Sequence, residues 1–323
     1  MRIAIPDDYQ DCVRELACFG KLDGHDVVVF NDTVKDVDSL AARFEGAQAL
    51  VLTRERTAVT AALLDRLPAL RIVSQTGKLA GHVDVAACTA RGVAVCEGSG
   101  TGRGTPELTW ALILASRRNL VQEAARLRAG QWQGSLGQQL HGQRLGIWSY
   151  GRVGKQVAAF GKAFGMQVWV WGRDTSIAEA ARDGVEVAPS REAFFAGSDV
   201  VSLHLRLNDA TRGIVGAADL AAMKPSSLFV NTSRAELVGP GTLVAALRAG
   251  RPGFAAVDVF EDEPVLGGAH PLLQLPNALC TPHLGYVERD NYEQFFGTAF
   301  DNITNFAAGR PSGLVNPEVL ARG

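Results

Sequence analysis

The sequence predicts an α/β protein with two domains, each built on a parallel sheet. At 323 residues the chain is longer than one typical domain, and 47% of its residues are hydrophobic, enough for two cores. Short runs rich in Val and Ile alternate with helical stretches, the pattern of strand-helix-strand units around a parallel sheet. This alternation pauses after residue 96 and restarts near residue 144, which predicts a second sheet from there.

The first domain begins with five short apolar runs that predict strands. Helical stretches at 37–46 and 60–68 separate the second, third and fourth of these runs, as expected when neighbouring strands are parallel. The five runs are RIAI at 2–5, DVVVF at 26–30, ALVLT at 49–53, RIVSQ at 71–75 and VAVC at 93–96.

Two long helices predict how the chain passes between the domains. A glycine cluster at 98–104, interpreted as an interdomain hinge rather than a phosphate cradle, precedes an amphipathic helix predicted over 106–129. A second helix, predicted over 287–308, carries the chain and its tail back to the first domain. We therefore expect a discontinuous domain of residues 1–99 and 286–323, and a second domain of residues 100–285.

Seven further apolar runs predict the strands of the second domain. Most of them end in polar or glycine-containing segments, where ligands bind at the carboxyl ends of parallel strands. The runs are RLGIWSY at 144–150, QVWVWG at 167–172, VEVA at 185–188, DVVSLHL at 199–205, SLFVNTS at 227–233, FAAVDVF at 254–260 and ALCTPH at 278–283.

Composition excludes several classes of function. The formal net charge is -2 and basic residues form no block, which argues against a nucleic-acid surface. No run of about 18 apolar residues predicts a membrane span. Five scattered cysteines without CxxC spacing favour a reducing cytoplasm over disulfides or a zinc site, and we expect no bound metal.

The segment SYGRVG at 149–154 follows a predicted strand and opens a predicted helix, which is where a dinucleotide-binding turn lies in a Rossmann-like domain. Gly151 is placed where the backbone approaches the pyrophosphate, and Gly154 where the helix packs on the strand. Ser149 stands where the fingerprint has its first glycine. Serine fits this turn if the position keeps an ordinary φ/ψ conformation.

Three later segments carry side chains suited to reducing a 2-keto acid: VNTSRAELV at 230–238, AAVDVFEDEPV at 255–265 and TPHLGY at 281–286. A guanidinium matches a substrate carboxylate and can also reach the adjoining ketone oxygen, which makes Arg234 a candidate. An imidazole is suited to protonate the alkoxide that forms, which makes His283 a candidate.

With these motifs the sequence resembles the D-isomer-specific 2-hydroxyacid dehydrogenases over nearly its whole length. The resemblance implies a flavodoxin-like substrate domain and a Rossmann-like dinucleotide-binding domain with a cleft between them, assembled as a homodimer. It also implies that Glu263 orients His283 and favours its protonated form. The cofactor-binding residues it implies or leaves as candidates are Thr105, Ser149, Gly151, Arg152, Val153, Gly154, Gly172, Arg173, His204, Thr232, Asp258 and Gly285. For His204, structural and cofactor roles remain equal alternatives.

The substrate loop implied by the resemblance is SQTGKLAGHVD at 74–84, which offers backbone amides to the substrate carboxylate. Gly77 permits close approach and Lys78 adds a counter-charge, while Leu79 stands where many relatives have a second glycine. Glyoxylate, hydroxypyruvate and pyruvate are the expected substrates. Phosphoglycerate is less expected because no added regulatory domain is recognised.

The choice between NAD and NADP depends on the end of the run at 167–172. Gly172 lies 18 residues beyond Gly154, where NAD-specific domains carry an acidic residue for the ribose, and glycine cannot accept that hydrogen bond. Arg173 follows and can pair with a 2′-phosphate, so NADP is favoured over NAD. The alternative is that Arg173 stacks on the adenine or faces solvent while Asp174 binds the ribose.

A non-enzymatic function is the alternative of a different class. Corepressors that resemble this family bind the same cofactor and retain the same three catalytic residues, so the motifs alone do not exclude an interaction protein. The short stretch of chain after His283, without the long tails of those corepressors, favours the enzyme.

Overall fold

A computed structural model describes residues 1–322 of the chain. It divides into two compact units, one formed by Met1–Thr101 and the chain from Glu288 onward, the other by Gly102–Val287. Each unit contains one parallel sheet. Within residues 1–322, no helix combines the length and apolar character needed to cross a membrane.

Strands form at all twelve positions where the apolar runs predict them. They are β1 Arg2–Ile5, β2 Asp26–Val29, β3 Ala49–Leu52, β4 Ile72–Gln75, β5 Ala94–Cys96, β6 Arg144–Trp148, β7 Gln167–Trp171, β8 Glu186–Val187, β9 Val200–Leu203, β10 Leu228–Asn231, β11 Phe254–Val257 and β12 Ala278–Cys280.

The α-helices connect these strands and cover the sheets. They are α1 Val37–Arg43, α2 Ala61–Leu64, α3 Val85–Ala90, α4 Gly104–Arg117, α5 Leu120–Arg128, α6 Arg152–Ala163, α7 Asp174–Arg182, α8 Arg191–Gly197, α9 Ala217–Ala222, α10 Thr242–Arg248 and α11 Arg289–Ala307.

The first unit has the strand order β2-β1-β3-β4-β5. One face of its sheet packs on α1, α2 and α3 around Phe44 and Leu63, which are fully buried. Helix α11 packs against β3 and β4. The tail then returns beside β5, where the Val315 amide donates to the Val95 carbonyl at 2.8 Å.

The second unit has the strand order β12-β11-β10-β9-β6-β7-β8. Successive residues of a strand point to opposite faces, so Ile147 and Trp148 of β6 enter different cores. Trp148 packs edge-to-face with Phe194 and Phe195, whereas Ile147 belongs with Val157 of α6. Burial on both faces explains why these strands are nearly continuous apolar runs.

The prediction of a single helix over 106–129 is wrong, because the structure has two helices in this region, α4 and α5. The break falls at Asn119, which adopts a left-handed backbone conformation with φ 51°. Asparagine tolerates this region, and the Asn119 side-chain Nδ2 also donates to the Ser135 hydroxyl at 2.9 Å. A local turn at Asn119 therefore replaces the helical continuation that the apolar periodicity predicts.

Candidate active site

The predicted functional residues of the second unit follow strands that end along one edge of the sheet. In the order across the sheet, His283 follows β12, Asp258 and Glu263 follow β11, Arg234 follows β10, His204 follows β9, the glycine turn follows β6, and Arg173 follows β7. Connections from β6 leave toward β7 on one side and later return to β9 on the other. The glycine turn therefore lies at the topological switch point, where open α/β sheets bind ligands.

The turn after β6 differs from expectation at Ser149. Serine fits this turn without strain only in an ordinary backbone conformation, but its φ is 79°, in the left-handed region that favours glycine. Hydrogen bonds to β7 and α7 hold the turn. The Ser149 amide donates to the Trp171 carbonyl at 2.8 Å, and the Tyr150 amide donates to the Ser176 hydroxyl at 3.3 Å. The chain thus keeps the glycine-type turn and accommodates a strained serine in it.

The two glycines of the turn meet the requirements of a pyrophosphate site. A Cβ atom on Gly151 would meet nothing within 4 Å, so space remains open at the N-terminus of α6. A Cβ atom on Gly154 would lie 2.3 Å from the Ser149 carbonyl oxygen, so only glycine lets the helix pack this close to the strand. The first amides of the twelve-residue helix α6, from Arg152 to Gly154, can therefore bind phosphate oxygens.

Beyond β7, Gly172 and Arg173 lead into α7. Arg173 is exposed and forms the N-cap of that helix. A Cβ atom on Gly172 would lie 3.2 Å from the Ser176 hydroxyl, so a larger residue there would crowd the start of α7. Ser176 was not identified from the sequence, because its proximity to the glycine turn depends on the pairing of β6 with β7.

His283 and Glu263 form a close pair. The His283 Nδ1 and Glu263 Oε2 atoms are 2.7 Å apart, and both side chains are largely buried, 18% and 13% exposed. The other oxygen of Glu263 accepts from the Phe260 amide at 2.9 Å. An ionised carboxylate held in this way fixes the imidazole tautomer with its proton on Nδ1.

Asp258 holds the turn that carries His283. Its side chain is fully buried and accepts three hydrogen bonds, from the Thr281 hydroxyl at 2.6 Å, the Leu284 amide at 2.7 Å and the Gly285 amide at 2.8 Å. Burial raises the pKa of this carboxyl above its ordinary value, although these hydrogen bonds act in the opposite direction. Within the turn, His283 itself has a positive φ of 54°.

Arg234 extends from a segment that is fixed by hydrogen bonds after β10. The buried Asn231 side chain donates to the Arg234 carbonyl at 2.8 Å and accepts from the Ser233 amide at 3.0 Å. The Ser233 hydroxyl donates to the Leu203 carbonyl at 2.7 Å. Asn231 and Ser233 therefore position Arg234, and sequence reasoning did not assign them this function.

The first turns of α4 connect the segments after β10 and β12. The Thr105 hydroxyl donates to the Gly285 carbonyl at 2.9 Å. The Thr109 and Thr232 hydroxyls are 2.7 Å apart, and Thr109 also donates to the Thr105 carbonyl at 2.7 Å. Thr105, Thr232 and Gly285 are thus brought together by hydrogen bonds, and Thr109, which the sequence did not single out, links Thr105 to Thr232.

His204 follows β9, and its ring lies beside Ser202. Its Nε2 atom lies 3.0 Å from the Ser202 hydroxyl, and burial lowers the pKa of His204 to about 3. Its buried Nδ1 has no hydrogen-bond partner among residues 1–322. A buried polar atom without a partner is uncommon, which keeps the structural and ligand-binding interpretations of His204 both open.

In the first unit, the predicted substrate loop follows β4. The Lys78 ammonium pairs with Glu97, whose other oxygen accepts from the Leu79 amide at 3.2 Å. Two of the donors expected for a substrate carboxylate thus bind a carboxylate of the protein itself. Gly77 packs against the guanidinium of Arg54, which lies 5.5 Å from the centre of the Phe295 ring.

The parallel sheet and the glycine turn at its switch point define the second unit as a dinucleotide-binding domain. A family profile described as "D-isomer specific 2-hydroxyacid dehydrogenase, NAD binding domain" matches residues 110–285. The chain belongs to this family, the D-isomer-specific 2-hydroxyacid dehydrogenases.

Named relatives and solved structures that are similar to this chain support the same family. The chain is 38% identical to a glyoxylate reductase of Aeropyrum pernix, over 80% of each chain. It is 32% identical to glyoxylate/hydroxypyruvate reductase B of Shigella boydii, over 98% of this chain and 97% of that one. A crystal structure of a phosphoglycerate oxidoreductase from Vibrio cholerae has a TM-score of 0.93 and 52% identity, covering 96% of this chain and 99% of that chain.

The strain at Ser149 predicts the effect of restoring glycine. A non-glycine residue in the left-handed region costs about 1–2 kcal/mol, and the greater unfolded-state entropy of glycine offsets part of the gain. We expect Ser149→Gly to raise the free energy of unfolding by about 1 kcal/mol. Denaturant unfolding should therefore show a higher midpoint with an unchanged slope.

Ser149→Ala is the matched control, because alanine removes the hydroxyl but keeps the strained Cβ. It should give no such gain. Equal midpoints for Ser149→Gly and the wild type would show that the backbone strain at this position is negligible.

Proposed function

We propose that the protein interconverts a small 2-keto acid and its D-2-hydroxy acid, with His283 as the general acid or base. The 2.7 Å contact between His283 and Glu263, beside the carboxyl edge of a dinucleotide-binding sheet, is the observation that carries this proposal. When bound, the nicotinamide dinucleotide supplies or accepts the hydride. The family supports this class of cofactor.

The residues around the glycine turn fit such a cofactor. The amides of Arg152, Val153 and Gly154, with the open space at Gly151, would hold its pyrophosphate. Thr105, Thr232, Asp258 and Gly285 would hold the nicotinamide end, which agrees with their mutual contacts.

Proton transfer follows from the contacts of His283. Nδ1 is engaged by Glu263, so Nε2 is the atom that can exchange a proton with the substrate oxygen. During reduction, the imidazolium donates this proton as the ketone oxygen gains negative charge. Glu263 stabilises the imidazolium and holds the ring in one orientation.

Substrate binding would use Arg234 and the 77–79 loop. The planar guanidinium of Arg234 pairs with the 2-keto acid's carboxylate and polarises its carbonyl, a task that a lysine ammonium performs less well. Glyoxylate and hydroxypyruvate are the first substrates to test, because reductases of these acids are among the relatives with high coverage.

Replacing His283 by alanine should remove the general acid while the cofactor site is kept. We expect kcat for glyoxylate or hydroxypyruvate reduction to fall by about 10²- to 10⁴-fold, with cofactor affinity little changed. Steady-state assays and fluorescence titration of the reduced cofactor would measure these two quantities.

His270→Ala is the matched control, because His270 also contacts a glutamate, Glu261, at 3.0 Å. It should remain close to the wild type. Wild-type kcat in His283→Ala would remove His283 from the mechanism. Cofactor binding by the wild type without turnover of any keto acid would instead favour the corepressor-like function.

The cofactor preference is proposed to be for NADP over NAD. Arg173 is exposed at the start of α7, beside a glycine that leaves room for a 2′-phosphate. We expect Arg173→Ala to lose about 10- to 100-fold in kcat/KM for NADPH, as for a lost charge-assisted hydrogen bond, with little change for NADH.

Arg182→Ala is the control for this variant, since Arg182 is an exposed guanidinium at the other end of α7. It should leave the ratio of kcat/KM values for NADPH and NADH unchanged. A wild type that uses NADH equally well, or prefers it, would refute the NADP assignment.

The proposed assembly is a homodimer formed through the dinucleotide-binding domains. Helix α5 and the segment after it expose apolar side chains: Leu120 and Val121 are about half exposed, Leu127 is 61%, Trp132 75% and Leu136 95% exposed. So much clustered apolar surface is typical of a protein interface.

Sedimentation should therefore give twice the 34.3 kDa mass of one chain. Combined Leu127→Asp and Trp132→Ser substitutions should lower the mass to that of one chain, because charge and polarity oppose burial at an interface. Leu266→Asp, at an exposed leucine in the loop after β11, should remain dimeric. A monomeric mass for active wild-type protein would refute the dimer.

A further inference from the structure

Glu97, the first residue after β5, binds the proposed substrate loop from within the same unit. One carboxylate oxygen pairs with the Lys78 ammonium, and the other accepts from the Leu79 amide at 3.2 Å. An ammonium and a backbone amide that converge on one carboxylate form an anion-binding site. Here the anion belongs to the protein.

The sheet brings this acid to the loop. Strands β4 and β5 are parallel, with Ser74 opposite Cys96, so the residues after them leave the same edge together. The Gly98 amide then donates to the Gly77 carbonyl at 3.0 Å. A Cβ atom on Gly98 would lie 2.8 Å from the Thr76 carbonyl oxygen, so this close approach requires glycine.

The charges of the pair determine what the loop presents to an anion. The Lys78 side chain is 66% exposed and that of Glu97 is 28% exposed. Partial burial raises the pKa of Glu97, but the hydrogen bonds from Lys78 and Leu79 lower it further, so that the pKa lies below its ordinary value. Glu97 is therefore ionised at neutral pH and offsets the charge of Lys78. The Arg54 guanidinium lies next to Gly77 and over the Phe295 ring.

We propose that Glu97 is a specificity-determining residue that selects against 2-keto acids with a second negative charge. This inference rests on the proposed function of the 77–79 loop. Because Glu97 neutralises Lys78 and accepts from the Leu79 amide, a second carboxylate on the substrate gains little attraction at this loop. A monoanionic 2-keto acid, whose single carboxylate pairs with Arg234 in the proposed function, does not lose a comparable interaction at Lys78.

Glu97→Gln tests the proposal, because glutamine keeps the size and one acceptor oxygen but leaves Lys78 uncompensated. Pyruvate and oxaloacetate differ by one carboxylate, so the readout is the oxaloacetate-to-pyruvate ratio of kcat/KM. We expect this ratio to rise roughly fivefold, the factor for one unit charge at about 4 Å in water. The rise should shrink at high salt, where exposed charges are screened.

Two further variants separate charge from structure. Adding Lys78→Gln to Glu97→Gln should return the ratio close to the wild-type value, because the loop is again neutral. Asp65→Asn is the matched control, since Asp65 forms an exposed ion pair with Arg91 in the same unit and should leave the ratio unchanged.

The outcomes distinguish this inference from the proposed function. A wild type that reduces none of glyoxylate, hydroxypyruvate, pyruvate and oxaloacetate overturns the proposed function and this inference with it. An active wild type with the same ratio in Glu97→Gln overturns the role of Glu97 alone. If Glu97→Gln does not fold, Lys78→Gln decides: it leaves the Glu97 charge unopposed and should lower the ratio roughly fivefold, and an unchanged ratio overturns the proposal.

Discussion

Parallel pairing in the second unit's sheet is the constraint on which the candidate site depends. Since all seven strands run in one direction, their carboxyl ends lie along one edge, and residues far apart in sequence leave that edge as neighbours. Arg234, Asp258 and His283 follow three adjacent strands, β10, β11 and β12. The sheet itself is held by apolar side chains on both faces, so the forces that build the core also order the polar residues at its edge.

Asp258, just after β11, binds the turn that carries His283. A histidine with positive φ costs free energy locally, and a buried carboxylate costs more unless it is hydrogen-bonded. One set of hydrogen bonds offsets both costs, because the amides of Leu284 and Gly285 and the Thr281 hydroxyl all donate to Asp258. The turn is therefore defined by a polar contact to the neighbouring strand end rather than by its own residue preferences.

The sequence predicts much of the fold because apolar runs bounded by polar or glycine-containing segments are local signals, and all twelve predicted strands form. It fails where a distant contact decides the local conformation. The Ser149 turn is hydrogen-bonded to the Trp171 carbonyl and the Ser176 hydroxyl, and the turn at Asn119 to the Ser135 hydroxyl. The motifs and the family resemblance do pair His283 with Glu263. The contact between Glu97 and the 77–79 loop, by contrast, depends on β4 and β5 lying side by side.

Two histidine–glutamate contacts in the second unit show why a contact alone does not define a catalytic group. His270 has both ring nitrogens engaged, Nε2 with Glu261 at 3.0 Å and Nδ1 with the Leu272 amide at 3.3 Å, and Glu261 is half exposed. In His283 the contact with a largely buried Glu263 uses Nδ1. Only an imidazole held through one nitrogen can exchange a proton at the other, and a buried carboxylate orients it more strongly than a solvated one. Burial and the choice of nitrogen, rather than the residue types, therefore distinguish the two pairs.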